Sequence, residues 1–146
     1  MREQNQLRMG KLHGKRVVLW ADRHDNNYGS GDLFRVAEIL KREGCSFTAV
    51  FSTAIPYDLL GELSPDVILA LLHPQFRMPL ELLRRSHLGA DLPPVILLLG
   101  LEDPELYLEG MQDGAFDCLT LPIDEQELIR LAAQAVEVGE ARLAVA

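Results

Sequence analysis

Between Arg85 and Arg130 the chain has no Lys or Arg, while residues 86–129 carry ten Asp and Glu. With a formal net charge of -8, this argues against direct nucleic-acid binding, which needs cations set against phosphates. Only two cysteines are present, Cys45 and Cys118, far apart and without metal or redox spacing. They read as core fillers in a reduced, cytoplasmic protein. No apolar run reaches the roughly 18 residues of a membrane span. The opening "MREQNQLRMGKLHGK" lacks the apolar stretch of a secretory signal, and residues 1–14 read as a flexible leader. There is no P-loop, no GxGxxG and no Ser-His-Asp or Cys-His arrangement. No enzymatic activity, cofactor or metal is expected.

What is present is an alternation. Five short apolar runs recur: "RVVLW" (16–20), "SFTAVF" (46–51), "DVILAL" (66–71), "PVILLLG" (94–100) and "FDCLTL" (116–121). Four are continuous, as strands covered on both faces are, and the fifth is mixed, as at a sheet edge. Helical segments separate them. Leu33, Val36, Ala37 and Leu40 form one stripe behind a cap at Asp32. Further helices are predicted from Pro56 to Leu63, from Pro79 to Ser86, from an Asp103 cap with Pro104 at the first position, and from Asp124 with Glu127 three residues on. Ile129, Ala133 and Val136 add a second stripe to the last helix, suggesting contact with another subunit or a downstream domain. Five strand–helix alternations imply a doubly wound parallel α/β sheet with helices on both faces. Ligands in such folds meet the carboxyl ends of the strands, here Trp20–Asp22, Leu71–His73, Leu99–Gly100 and Thr120–Pro122.

The order and spacing of "SPDVILALL", "LELLRR", "PPVILLLG" and "EGMQDGAFDCLTLPIDEQELIRLA" resemble those of response-regulator receiver domains, the phospho-accepting modules of two-component signalling. The resemblance covers about 130 residues, from Lys15 to Leu143 within a domain set at 15–146. It implies the flavodoxin-like strand order 2-1-3-4-5. Receivers hold Mg²⁺ with two acidic residues after strand one and accept a phosphoryl group on an aspartate ending strand three. A Thr or Ser after strand four and a Lys after strand five bind its oxygens. In this chain the acidic pair falls on Ala21 and Asp22, the acceptor on Leu71, the hydroxyl on Leu99, the lysine on Leu121 and the strand-five aromatic on Cys118. Asp22 alone is retained. Leucine accepts no phosphoryl group, and Leu71, Leu99 and Leu121 are expected to touch in one apolar cluster that holds a single conformation.

The resemblance therefore implies a phosphorylation-independent pseudo-receiver in bacterial signalling or transcription control. Its partner would be a protein (a signalling kinase, an output domain or a regulator) or a second copy of the chain. The polar loop holding His24, Asp25, Asn26 and Tyr28, together with His73, is a candidate ligand or partner contact. So is the acidic face of Glu102, Glu105, Glu109, Asp113 and Asp117. The alternative is a regulator that binds a small molecule in the strand-end crevice.

Overall fold

The computed structural model describes residues 10–22, 30–86, 92–100 and 103–145. Strands β1 (Arg16–Ala21), β2 (Ser46–Phe51), β3 (Val67–Leu72), β4 (Val95–Leu99) and β5 (Asp117–Thr120) alternate with helices α1 (Ser30–Arg42), α2 (Tyr57–Leu63), α3 (Met78–Ser86), α4 (Pro104–Gln112) and α5 (Glu125–Val145). The strands form one parallel sheet in the order β2-β1-β3-β4-β5, the expected flavodoxin-like arrangement. The continuous runs β3 and β4 are interior and fully buried. The mixed run β5 is an edge, and so is β2, whose continuous run was expected to be covered on both faces but buries only Val50 fully.

Side-chain alternation divides the core in two. On one face Val67, Leu69 and Leu71 of β3 pack with Val36 and Leu40 of α1 and with Leu128, Leu131 and Ala132 of α5. On the other, Ile68, Ala70 and Leu72 pack with Leu60 of α2, Leu80 and Leu83 of α3 and Leu106 of α4. The helix starts follow local chemistry. Asp103 Oδ1 accepts from the backbone N–H groups of Glu105 and Leu106 at 3.0 and 3.2 Å, and Asp124 Oδ1 accepts from Glu127 N–H at 3.1 Å, each satisfying donors that a first turn leaves open. Helix α1 begins at Ser30 with Asp32 inside its first turn, so Asp32 is not its cap. Ile39 rather than Ala37 completes its buried stripe.

Two further expectations need correction. Leu12, inside the segment read as a leader, is fully buried in the α1/α5 core. Gly14 N–H bonds to Gly44 O at 2.9 Å, and Lys15 pairs with Glu140 of α5 at 2.6 Å. The packed body therefore starts before residue 15, and Leu12 between charged and polar neighbours gave little sign of it. The second stripe of α5 is also largely internal: Ala133 and Val136 lie in the same core as Leu128, with Ile129 half-buried beside them. A helix lying over the sheet and flanked by α1 and the 11–14 turn buries more than one stripe. No helix among the described residues is long and apolar enough to cross a membrane.

Candidate functional site

The register brings the carboxyl ends of the strands together. Trp20 pairs with Ala70, Leu71 with Leu98, Leu72 with Leu99, and Leu99 with Thr120. At this end Ala21, Leu71 and Leu121 are buried on the α1/α5 face. Leu99 is buried with Leu72 on the opposite face, where half-buried Cys118 packs. The three leucines thus do not form one cluster as expected. The period of two sends Leu99 through the other side of the sheet, and the rim is filled with hydrocarbon from both faces. The Leu121–Pro122 peptide bond is cis.

The polar part of the rim is centred on a residue expected in an open loop. His73 follows β3 directly and is only 2% exposed. Its Nε2 lies 3.1 Å from Asp22 Oδ2. The Asp22 carboxylate can only accept, so Nε2 is the nitrogen that donates to it, and the backbone N–H of Gln75 lies 3.3 Å from Nδ1. The Gln75 side-chain oxygen, an acceptor, also lies 3.3 Å from Nδ1. Residues 73–76 close on themselves, with Phe76 N–H bonded to His73 O at 2.8 Å. Phe76 is buried edge-on to Trp20, ring centroids 5.5 Å apart. His73 is therefore an internal anchor rather than a loop contact. His24, Asp25, Asn26 and Tyr28 lie outside the described residues, as does Glu102.

Beside this anchor opens a crevice of about 400 Å³ lined by Asp22, Thr53, Gln75, Arg77, Glu81 and Arg84, among others. Its arginines alter the acidic face. Arg77 pairs with Glu109, and Arg84 with Asp113 at 2.9 Å and Glu81 at 3.1 Å. Two of the acids expected to stand open are thus engaged by arginines just before and within α3. The Asp117 carboxylate accepts from the N–H of Cys118 at 2.7 Å, and Glu105 remains exposed. Sequence reasoning missed an apolar feature of this helix: Tyr107, Leu108 and Met111 of α4 are exposed, Leu108 at 56%. The signal was available. A nine-residue helix that buries Leu106 and Gly110 turns residues one position on toward solvent. Burial pushes the Cys118 thiol up to about 12 and the Cys45 thiol up to about 11, with Asp117 and Glu43 adding to the respective shifts. Both are inert packing groups rather than nucleophiles.

A five-stranded parallel sheet in this order, with two helices on one face and three on the other, can be set beside known proteins. The signal receiver domain of an HD-domain-containing protein from Pseudomonas fluorescens superposes with a TM-score of 0.71 at 24% identity, over 88% of this chain and 99% of that one. The chain has the receiver-domain fold. A CheY-like receiver from Methanospirillum hungatei gives a TM-score of 0.70 at 16% identity over 88% and 98% of the two chains, and FixJ-N gives 0.70 at 21% over 86% and 95%. In sequence, 54 residues are 37% identical to the C4-dicarboxylate transport transcriptional regulatory protein DctR of Rhodobacter capsulatus. That match spans 37% of this chain and about a quarter of DctR, 27%. No family model matches.

Receiver chemistry implies Mg²⁺ at this end of the sheet, and the residues present do not fit it. A small, hard cation demands near-octahedral oxygen coordination. Ala21 and Leu71 offer no side-chain oxygen, and the Asp22 carboxylate already receives the His73 imidazole. No group of three or more His, Cys, Asp or Glu among the described residues is placed to hold a metal ion.

Proposed function

We propose that this chain is a pseudo-receiver, a receiver-fold domain that takes no phosphoryl group and serves as a protein–protein interaction module in bacterial signal transduction or transcription control. The observation that carries this reading is the buried leucine at position 71, where the resemblance sets the acceptor. A hydrocarbon side chain has no nucleophilic oxygen, and Leu121 stands where a phosphoryl-binding ammonium would be needed. The proposed docking face is α4. Exposed Tyr107, Leu108 and Met111 present an apolar surface of the kind that partners cover, on a helix with no basic residue of its own. A signalling kinase, an output domain or another regulator is the expected partner; a second copy of the chain meeting at α4 is the other arrangement.

The test is NMR on the labelled protein with beryllofluoride or a small phosphodonor and Mg²⁺. No saturable change is expected. Saturable perturbation of the Asp22, Leu71 and Leu99 amides would refute the proposal.

The crevice at the strand ends supports a second reading, a regulator that binds a small molecule there. A bound ligand raises Tm by mass action. A metabolite and nucleotide panel that gives no shift counts against this reading.

A further inference from the structure

The Asp22–His73 contact joins residues 51 positions apart in sequence, at the carboxyl ends of neighbouring strands. We infer that His73 is a positioning residue whose imidazole fastens the β3–α3 loop to the end of β1, so that this rim keeps one arrangement with no divalent cation. The inference goes beyond the reading above. That reading concerns the missing phosphoryl acceptor at Leu71; this one concerns what fixes the loop, and it stands or falls separately.

Three observations carry it. First, both partners are shielded, with side-chain exposures of 1% for His73 and 8% for Asp22, so the hydrogen bond forms with little competition from water. Second, the partner of Nε2 can only accept a hydrogen bond. The Asp22 carboxylate faces Nε2 at 3.1 Å, so the ring donates there, while the Gln75 backbone N–H and side-chain oxygen hold Nδ1 on the other side. Third, the loop is anchored at both ends. His73 bonds to Asp22 at one end, and at the other Phe76 packs on Trp20, with the His73 and Phe76 backbones bonded to each other at 2.8 and 3.3 Å. Helix α3 starts at Met78, just beyond this anchor, and Arg77 and Arg84 reach from there to Glu109 and Asp113. Where two carboxylates would need a cation between them, one carboxylate and one N–H donor close the same gap without setting two anions side by side.

The experiment reads the anchor itself. In the wild-type protein the His73 Hε2 proton is expected as a resolved, slowly exchanging resonance, and Asp22→Ala should abolish it. His73→Gln keeps an N–H donor near the Nε2 position, whereas His73→Phe keeps only the ring shape. His73→Phe is expected to lower Tm by about 5 °C and to shift Trp20 emission, with at least half the loss recovered in His73→Gln. Asp22→Ala/His73→Phe should be no less stable than the worse single variant. Millimolar Mg²⁺ should move neither the Trp20 emission nor the Tm of the wild type. A saturable Mg²⁺ response overturns the inference, as does an Hε2 resonance that survives Asp22→Ala. If His73→Phe does not fold, the resonance and the Mg²⁺ titration decide.

Discussion

Replacing Leu71 by Asp restores the residue that the receiver resemblance sets at this position, and it should nearly unfold the protein. Leu71 is fully buried, within a core that includes Leu69, Leu98 and Leu121. Losing its hydrocarbon costs about 2–3 kcal/mol. The new carboxyl then has two options. Ionised in that core, it costs several kcal/mol in lost hydration. Kept neutral at pH 7, about three units above the usual aspartate value, it costs about 4 kcal/mol. The cheaper route gives a total near 6 kcal/mol, comparable with the whole stability of an ordinary domain at about 5–15 kcal/mol. Urea unfolding followed by Trp20 emission should place the Leu71→Asp midpoint lower by about 2–4 M. Leu71→Met, close in volume, should lose less than about 1.5 kcal/mol. The pH dependence has a definite sign. The carboxyl is held above its unfolded value, so the penalty grows as pH rises past about 4 and shrinks by up to about 1.4 kcal/mol per unit on acidification toward it. A Leu71→Asp protein within about 1 kcal/mol of wild type at pH 7 would refute the reasoning, because it would mean that polar space or water already exists at this strand end.

Two glycines should respond in opposite directions to Ala. A Cβ at Gly110 would sit 2.5 Å from Leu97 Cδ1 and 3.5 Å from Cys118 Sγ; Leu97 is fully buried, so Gly110→Ala should cost about 1–2 kcal/mol in chemical denaturation. Gly61 in α2 has nothing within 4 Å of such a Cβ, and Gly61→Ala should add about 0.5–1 kcal/mol. The thiols of Cys45 and Cys118 are raised by burial to about 11 and about 12 from 9.0. The folded state therefore holds protons that the unfolded state releases, and stability should fall as pH rises from about 9 toward 11. Cys45→Ala/Cys118→Ala should flatten that decline. Within the native protein both thiols should resist a disulfide reagent at pH 8 and react on unfolding. Leu108→Asp, on the exposed side of α4, should leave Tm within about 2 °C of wild type while weakening partner binding measured by calorimetry.

Much of the fold was legible because it rests on local rules. Apolar runs mark the strands, although the continuous run of β2 lies at an edge, and capping aspartates mark the starts of α4 and α5. The chemical poverty of the rim was equally plain, since the residue types at 21, 71, 99 and 121 can be read directly once strand ends are located. The failures share a cause. Leu12, Ala133 and Val136 were judged by their own segment's pattern, yet their burial depends on elements brought over them from elsewhere in the chain. The acidic face was judged from residues 86–129 alone, and its partners are Arg77, just before α3, and Arg84 within it.

By itself, then, the sequence determined which segments are strands and helices, that they wind into a parallel sheet, and that leucine rather than a carboxylate ends β3. Only the tertiary structure decided which face each rim leucine enters, that Arg77 and Arg84 meet Glu109 and Asp113, and that His73 turns inward to Asp22. The period of a strand is a property of neighbouring residues and is written locally. A hydrogen bond across 51 residues exists only after β1 and β3 have paired, because their register alone brings its donor and acceptor within reach.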